Sequence, residues 1–444
     1  MRRLVLALLG LIVLGVGVAG AWYYRDQTRT HEKRGSSTIE FVSTQEPAKK
    51  TRPARLVREV PWPMYGYDAQ RTHDASQFRL RPPYRKIWTR RTGSVLEFPP
   101  SIADGVLFAG QAHGRFFAVD TRTGDVRWRK DFGHCSAASP ALSPTVVYMA
   151  YMQVLPCRRF PRTQRGFVVA MQYRRGNTLL ARGKVLWRYR TGAVETSPLL
   201  VKGTLYFGSW DHHVYALDVT GPRPRLRWRF DAGAEVNSSP AFAGGAVYVG
   251  TDAGKVYSID ARTGRERWHA SSFSRFGRRE YFYATPTMAY GRVYIGNTDG
   301  TLYAFGAGTG HLLWARHAGS YVYTAAAVWK GLVIVGTYNG DLLAYDAATG
   351  DLRWRHKAPS AIHGAPTVLN SFVYFSTCPV CGSHGSRSTK QGPAGTYAVR
   401  ARDGHLVWRF PDGRYSPVVA DSKRMYLAGY TRLYGFVPVR PAGR

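Results

Sequence analysis

The chain repeats a short pattern of apolar and polar positions that predicts paired β-strands. Its clearest copy runs from Phe116 to Trp128: a strand of alternating character ends at Asp120, a turn carries Thr123 and Gly124, and a second strand brings the tryptophan. The aspartate favours a turn by bonding the backbone, and the glycine accepts a positive φ. The pattern recurs over residues 256–268, 302–314 and 342–354, with looser copies ending at Trp187, Trp228 and Trp408.

A second hairpin signal precedes most copies. Asp299-Gly300 and Asn339-Gly340 are dipeptides that favour type I′ turns. Each unit is therefore predicted to contain four antiparallel strands. Because every unit supplies its own two hairpins, the fold class is all-β.

The spacing of the tryptophans predicts the number of units. From Trp88 onward the intervals are 40, 59, 41, 40, 46, 40 and 54 residues, and periods near 40 with four strands are typical of propeller blades. The last unit stops before a tryptophan strand, and residues 84–91 supply that strand from the other end, which closes the ring. We predict an eight-bladed propeller over residues 59–440, with insertions at Leu155–Arg182 and Thr377–Gly395.

The N-terminal segment has a different character. Leu4 to Tyr24 contains no charged residue, which is long enough for a membrane-spanning helix. Residues 1–24 are predicted to be an uncleaved signal-anchor, with cleavage at the small residues Ala19-Gly20-Ala21 as the alternative. Residues 25–58 are polar and basic and are predicted to be a flexible spacer. The expected location is the cell membrane, single-pass, with the propeller on the extracytoplasmic side.

The formal charge of +34 changes the expected partners. A positive field of this size favours acidic partners such as an anionic envelope component. No nucleic-acid-binding motif of known form is present, so nucleic acid is an unlikely partner. A structural explanation also exists, because arginines flank the tryptophans at Arg127-Trp128-Arg129 and Arg353-Trp354-Arg355, where charge would block edge-to-edge pairing.

The repeat resembles the pyrroloquinoline-quinone-type propeller repeat, in which Ala-x-Asp-x-x-Thr-Gly precedes a tryptophan by four positions. Ala118–Trp128 and Ala344–Trp354 match it fully, and Trp62–Gly66 with Arg71-Thr72 looks like the opening segment of that family. The resemblance implies one of two functions. BamB-like members are cofactor-free scaffolds, whereas quinoprotein dehydrogenases bind pyrroloquinoline quinone and Ca²⁺ on the propeller axis. BamB-like members usually carry a lipoprotein cysteine, and here no cysteine precedes Cys135.

The repeat register predicts where chemistry would gather. Three residues before each inner-strand proline, or its counterpart, one position per blade should face a common mouth. These positions are Glu97, Ala137, Glu195, Asn237, Tyr283, Tyr323, His363 and Arg414. Glu195 and Asn237 would suit Ca²⁺, but the next two blades present tyrosines where such enzymes need a carboxylate base. Solvated mouth side chains, a ligand or partner site, and cofactor-dependent catalysis all remain open.

The four cysteines are predicted to form loop disulfides. Cys378 and Cys381 have the spacing of a redox or metal motif, but haem attachment needs a following histidine and zinc needs a second close pair. Pairs Cys135–Cys157 and Cys378–Cys381 are favoured among three possible pairings. His212-His213 could suggest a metal site, but its register matches a hairpin turn.

The sequence leads to one main functional hypothesis. We expect a monomeric, non-enzymatic protein-binding or scaffolding propeller that needs no cofactor. A quinone-dependent oxidoreductase using pyrroloquinoline quinone and Ca²⁺ is the alternative. A ligand-sensing ectodomain is a third possibility.

Overall fold

The computed structural model describes most of the predicted propeller and two stretches before it. The described residues are 10–22, 31–43, 60–155, 157, 165–275, 278–381, 392–415 and 418–439. Within them, residues 10–22 form a helix and almost all other regular structure is β-strand.

The helix corrects the predicted location of the chain. At a rise of 1.5 Å per residue, residues 10–22 extend for about 20 Å, whereas the hydrocarbon layer is about 30 Å thick. No helix within the described residues is long and apolar enough to cross a membrane. The prediction of a single-pass membrane location is therefore wrong for the described residues, and the predicted anchor segment, residues 1–24, lies partly outside them.

Eight blades of four antiparallel strands form the ring, and we label their strands A to D from the axis outward. The sheet of blade 7 has a fifth strand, Asp74–Ala75, which pairs parallel to its strand A. Blade 1 contains Ser101–Ala103, Val106–Gly110, Arg115–Asp120 and Val126–Asp131. Blade 2 contains Ala141–Leu142, Val146–Tyr151, Arg165–Arg175 and Thr178–Gly192. Blade 3 contains Leu199–Val201, Thr204–Gly208, His213–Asp218 and Arg225–Asp231. Blade 4 contains Ala241–Ala243, Ala246–Gly250, Lys255–Asp260 and Glu266–Ser271.

The second half of the ring repeats this arrangement. Blade 5 contains Thr287–Ala289, Arg292–Gly296, Thr301–Gly306 and Leu312–His317. Blade 6 contains Ala327–Trp329, Leu332–Gly336, Asp341–Asp346 and Leu352–Lys357. Blade 7 contains Thr367–Leu369, Phe372–Thr377, Gly395–Arg400 and Leu406–Phe410. A short hairpin of Ser274–Arg275 and Arg278–Arg279 lies between blades 4 and 5.

Blade 8 closes the ring with strands from both ends of the domain. Its strands A to C are Val418–Ala420, Met425–Ala428 and Arg432–Pro438, and its strand D is Tyr84–Arg91. The antiparallel pairing places Trp88 opposite Gly435. The ring therefore has no break at which blade 8 would expose the edge of its strand C.

The Thr-Gly turn and the tryptophan form a contact between neighbouring blades, which we call the staple. In five staples the indole Nε1 of one blade donates to a turn carbonyl of the next at 2.9–3.0 Å. The indole ring also covers the turn glycine, so a Cβ at Gly264 would lie 2.6 Å from Trp228. The repeated motif therefore joins each of these blades to the next one.

Many of the rim arginines have a structural role in the same hairpin. Each turn aspartate accepts a salt bridge from an arginine seven positions later, with Asp120–Arg127 at 2.6 Å and Asp346–Arg353 at 2.8 Å. Asp260–Arg267 repeats this geometry at 2.8 Å. These exposed pairs contribute modestly to stability, and they hold strands C and D of a blade together.

Residues 60–76, which we call the plug, occupy the axis of the ring. Backbone hydrogen bonds join the plug to six innermost strands, at Ile102, Leu142, Phe242, Met288, Val328 and Val368. Arg71 is fully buried in the plug and donates to the carbonyl oxygens of Tyr65, Ser197, Pro198 and Pro240. A cation is tolerated here because several carbonyl oxygens replace its hydration.

Residues 31–43, which we call the strap, lie against blades 5 and 6. Arg292 is fully buried and donates to the Ser36, Ile39 and Glu40 carbonyl oxygens at 2.6–3.0 Å. Its other nitrogen reaches carbonyl oxygens of blade 6, and its guanidinium lies 5.0 Å from the centre of the Phe41 ring. This part of the predicted spacer is therefore packed on the propeller rather than free of it.

Two disulfides lie at the loops that carry the two predicted insertions. Cys135 bonds Cys157, and Cys378 bonds Cys381, which are the pairs that the sequence favoured. Neither sulfur pair is free for metal binding.

Candidate binding site at the mouth of the propeller

One face of the ring, which we call the mouth face, collects two positions from each blade. The loop that leads into strand A supplies the first, and the turn between strands B and C supplies the second. Backbone hydrogen bonds join the two, as from Trp210 N to Ala193 O at 2.9 Å and from Tyr338 N to Tyr321 O at 3.2 Å. The Thr-Gly turns lie at the opposite end of the strands, on what we call the turn face.

The predicted convergence at the axis occurs for five of the eight positions. A small cavity on the mouth face is lined by Glu97, Asn237, Tyr283, Tyr323 and His363, together with Tyr65, Phe98 and Tyr415. Glu195 reaches the same group by accepting a hydrogen bond from the Tyr283 hydroxyl. Loops far apart in sequence therefore supply one continuous surface.

Glu195 and Tyr283 form the acidic side of this mouth. Burial raises the pKa of Tyr283 well above its ordinary value, and the Glu195 and Glu97 carboxylates raise it further. The phenol therefore stays protonated and donates to Glu195. Tyr283 thus holds the carboxylate in place and does not act as a base at neutral pH.

Asn237 has both ends of its amide engaged. Trp210 Nε1 donates to Asn237 Oδ1 at 2.5 Å, and Asn237 Nδ2 donates to Asp252 Oδ2 at 2.9 Å. The side chain is 8% exposed. Its amide therefore fixes the neighbouring loops, and its carbonyl oxygen is directed at an indole.

Aromatic rings follow one another around the other side of the mouth. The Tyr283 and Tyr323 ring centres are 4.6 Å apart, and Tyr323 stacks on Tyr338 at 5.2 Å with 15° between the planes. Tyr338 in turn stacks on His363 at 5.6 Å and shares a 2.6 Å hydrogen bond between its hydroxyl and Nδ1. Burial lowers the pKa of His363 to about 4, so the imidazole is neutral at pH 7.

The row of rings continues into blade 8. Tyr415 meets His363 edge-on at 5.3 Å and stacks on Tyr430 at 6.2 Å. The Arg414 guanidinium lies 4.0 Å from the Tyr430 ring centre, a cation–π distance. We call Tyr283, Tyr323, Tyr338, His363, Tyr415 and Tyr430 the aromatic arc.

Three predicted positions lie outside the cavity lining: Glu195, which is bonded to Tyr283, and also Ala137 and Arg414. Ala137 is buried and small, and Arg414 packs on Tyr430 while its neighbour Tyr415 faces the cavity. Tyr415, rather than the predicted Arg414, is the residue of blade 8 that lines the cavity.

The second position of each blade was not among the predicted site residues. Trp210, Asp252 and Tyr338 each follow a strand-ending glycine by two residues, at the turn between strands B and C. The same repeat register would have identified them. Their omission hid the partners of Asn237 and His363.

The floor of the mouth is aromatic and closed by the plug. Tyr65 is buried and meets Phe98 edge-on at 5.6 Å and His73 at 5.0 Å. The remaining cavity has a volume of about 50 Å³. This is space for roughly one or two water molecules, whereas sites that enclose an organic ligand occupy roughly 300–1,000 Å³.

These dimensions do not fit pyrroloquinoline quinone with Ca²⁺. Calcium takes about six to eight oxygen ligands, but the oxygen of Asn237 already accepts from Trp210 and a Glu195 oxygen accepts from Tyr283. Among the described side chains, no group of three or more His, Cys, Asp or Glu is placed to hold a metal ion. A tricyclic quinone also exceeds the cavity between Tyr65 and the arc.

The paired histidines belong to a turn. His212 adopts a φ of 72°, and His213 Nδ1 lies 2.6 Å from the Asp211 carbonyl oxygen. Asp211 accepts a hydrogen bond from the Tyr215 hydroxyl at 2.8 Å. These contacts account for both histidines as parts of a hairpin.

A known family covers the propeller. The profile of the family described as outer membrane protein assembly factor BamB matches residues 84–179, 159–323 and 316–436. The chain belongs to this family. The resemblance inferred from the repeat is therefore confirmed. The proteins to which the chain is similar include both assembly factors and dehydrogenases.

Individual relatives match only parts of the chain. The outer membrane protein assembly factor BamB of Escherichia coli K12 is 28% identical over 184 residues, 39% of this chain and 42% of that protein. The lanthanide-dependent methanol dehydrogenase of Methylacidiphilum fumariolicum is 32% identical over 104 residues, 20% of this chain and 17% of that protein. The match thus spans less than half the length of either relative.

A solved structure shares the fold. BamB from Moraxella catarrhalis superimposes with a TM-score of 0.61 over 80% of this chain and 100% of that chain, at 13% identity. The likeness supports the eight-bladed architecture and does not by itself assign a function.

Proposed function

We propose that the chain is a non-enzymatic propeller that binds a protein partner across its mouth face. The aromatic arc is the observation that carries this proposal. It places five tyrosines and one histidine in a row on four blades, with Arg414 packed on the ring of Tyr430. Protein interfaces concentrate their binding energy in tyrosine, tryptophan and arginine.

The chemistry of the arc suits a protein surface. Each phenol offers a broad apolar face and a polar hydroxyl, so it can bury area against a partner while its oxygen remains hydrogen-bonded. Tyr323, Tyr415 and Tyr430 are partly exposed, and their rings are held by neighbours before any partner arrives. Such preorganisation reduces the entropy lost on association.

The small cavity supports a surface interaction over an enclosed substrate. With about 50 Å³ between Tyr65 and the arc, a side-chain tip or a few waters fit, and a cofactor with its substrate does not. Catalysis by a quinone would in addition need a free base, and the Glu195 carboxylate is tied to Tyr283. The Ca²⁺ and quinone alternative is therefore disfavoured.

The family gives a second line of support. Its described members are named for outer membrane protein assembly, an activity that requires contact with other proteins. We extend only this general property to the present chain: a protein partner, without an assigned identity.

Site-specific photo-crosslinking tests the proposal. A benzoyl-phenylalanine in place of Tyr281 or Tyr430 would report on the mouth face, because Tyr281 is 46% exposed in the loop beside the arc. The same residue in place of Arg122 or Arg402, exposed in the turns between strands C and D of blades 1 and 7, is the matched control on the turn face. We expect discrete protein adducts in cells from the mouth positions and none from the turn positions.

Two results would contradict the proposal. Equal adducts from both faces would mean that the mouth is not a preferred contact. Stoichiometric binding of pyrroloquinoline quinone with Ca²⁺ to the purified protein, lost on Glu195→Gln, would instead support the oxidoreductase.

A further inference from the structure

The complete staple forms at five of the eight seams of the ring, and the seam between blades 2 and 3 is one of those without it. In blades 4 to 7 a glycine four positions into the turn, such as Gly264 or Gly350, lies against the tryptophan of the preceding blade. Blade 3 has Pro222 at this position, and its turn from Asp218 to Trp228 is two residues longer than the turn from Asp120 to Trp128. The proline ring and the extra length prevent the close approach that a glycine allows.

Trp187 of blade 2 is the residue that loses its cover. It is partly exposed, whereas Trp228 is 7% and Trp314 0% exposed. No described residue accepts a hydrogen bond from its Nε1, unlike the 3.0 Å bond from Trp314 to Ala347. The indole still packs on Tyr148 of its own blade at 5.8 Å, so only its outer side is open.

The open seam forms a groove on the turn face. It has a volume of about 440 Å³, and its lining includes Leu142, Val146, Leu186, Trp187, Leu200 and Val219. Leu186 lies at the bulge of its strand and is 39% exposed. At the same position, blades 1, 3, 4 and 6 carry the arginine that forms a salt bridge with the turn aspartate. At this position the groove therefore presents an apolar side chain where those blades present an arginine.

Cations surround this apolar surface. Lys202 lines the groove, Lys184 is exposed on the strand that carries Trp187, and Arg223 is exposed in the long turn. None of the three forms an ion pair with a described residue, whereas Arg225 and Arg227 of the same hairpin share Asp218. The groove thus combines several apolar side chains, Trp187 and Leu186 among them, with positive charge that no described acidic residue neutralises.

We infer that the groove between blades 2 and 3 docks a short acidic segment of another protein, anchored by a large apolar side chain against Trp187. The other seams show what an indole accepts here: close-packed atoms on its face and a carbonyl oxygen at Nε1. A peptide backbone supplies that carbonyl, its apolar side chain fills the floor, and its carboxylates meet the lysines. This site lies on the face opposite the mouth and does not depend on the partner proposed there.

Labelled peptides that differ only in charge and anchor provide the probe. The test peptide is Asp-Glu-Glu-Trp-Gly-Asp-Glu; matched peptides replace its acids with serine or lysine, or its tryptophan with serine. Fluorescence anisotropy with the full chain should show binding of the acidic tryptophan peptide at least tenfold tighter than the others. Equal binding of the lysine peptide, or undiminished binding without tryptophan, would overturn the inference.

Restoring the staple is the sharpest variant. Replacing residues 220–225 with Arg-Thr-Gly-Arg gives blade 3 the turn length of blade 1 and places glycine on Trp187. We expect this variant to melt at or above the wild-type temperature and to bind the acidic peptide at least tenfold more weakly. Unchanged affinity in a folded variant would place the peptide elsewhere.

Charge at the groove has its own matched control. Lys202→Glu and Lys330→Glu alter lysines in the same A–B turn of blades 3 and 6, both exposed and with φ near 45°. Only Lys202→Glu should weaken the peptide, by about fivefold or more at low salt. Equal losses would indicate a general effect of net charge, and a concentration-dependent dimer abolished by the restored turn would assign the groove to a second copy of this chain; either result would overturn the inference.

Discussion

Trp268 of blade 4 lies against Gly310 of blade 5, so close that a Cβ on the glycine would be 2.6 Å from the indole ring. The indole also donates from Nε1 to the Ala307 carbonyl oxygen at 3.0 Å. Gly310 has a φ of 72°, a conformation that costs energy for any residue with a Cβ. One position therefore needs glycine for two independent reasons.

Gly310→Ala should destabilise the propeller, and Gly308→Ala in the same turn should not. Strain and the clash together predict a loss of about 1–3 kcal/mol of unfolding free energy for the first, because the indole would have to leave its carbonyl acceptor. Nothing lies within 4 Å of a Cβ at Gly308. Urea unfolding of the two variants measures the difference, and equal midpoints would contradict the staple as a stabilising contact.

The plug predicts a second effect at Arg71. Arg71→Met leaves the Tyr65, Ser197 and Pro240 carbonyl oxygens without their buried donor, which should cost on the order of 3–5 kcal/mol. Arg71→Lys keeps the positive charge but replaces the three nitrogens of the guanidinium with one ammonium nitrogen. Its loss of unfolding free energy should therefore lie between those of the wild type and Arg71→Met.

Thermal melting would rank these variants. The control is Arg81→Met, at an exposed position outside the plug, which should melt like the wild type. A melting temperature for Arg71→Met equal to that of the control would mean that the plug does not depend on this cation.

The ring could be predicted from the sequence because its determinants repeat. The Asp-x-x-Thr-Gly turn and the tryptophan recur at fixed spacing, so blade number and the closing strand Tyr84–Arg91 followed from register. The same register placed Tyr283, Tyr323 and His363 at the mouth. A side chain that occupies the same position in every repeat can be located from the sequence alone.

Features that depend on a single contact were not predictable in this way. Tyr415 lines the cavity in place of the predicted Arg414, which packs on Tyr430. The strap has no periodic pattern, since Arg292 binds its backbone carbonyl oxygens rather than particular side chains. Any sequence able to present those carbonyls would look like a spacer.

The strap predicts a third measurable effect. Arg292→Lys removes most of the hydrogen bonds to the strap, and Phe41→Ala removes the ring that lies on the guanidinium and stacks on Tyr290 at 5.5 Å. Both variants should speed hydrogen exchange of the Gly35 and Val42 amides, which bond blades 6 and 5. We expect about tenfold, equivalent to roughly 1.4 kcal/mol.

Ile39→Ala is the control for the strap. Its side chain is 56% exposed, so exchange at Gly35 and Val42 should stay at the wild-type rate. Equal acceleration in all three variants would mean that strap exchange does not report on the Arg292 contacts.

His363 predicts how stability depends on pH. Burial lowers its pKa from 6.5 to about 4, so in the unfolded chain the imidazole takes up a proton at a higher pH than in the folded one. As the pH falls from 6.5 toward 4 the unfolded state therefore gains protons first, and the free energy of unfolding decreases. His73, with a pKa lowered to about 3, acts in the same direction, whereas Asp68, raised to about 6, acts in the opposite one.

His363→Gln isolates this contribution, because glutamine accepts a hydrogen bond from Tyr338 but does not titrate. The variant should lose roughly 2–3 kcal/mol less than the wild type between pH 6.5 and 4. Tyr338→Phe keeps the buried imidazole and removes only its 2.6 Å hydrogen bond, so its pH slope should follow the wild type. Denaturant titrations at several pH values measure all three slopes. A wild-type slope in His363→Gln would mean that this imidazole is hydrated in the folded protein, and the aromatic arc would then be open to water at its centre.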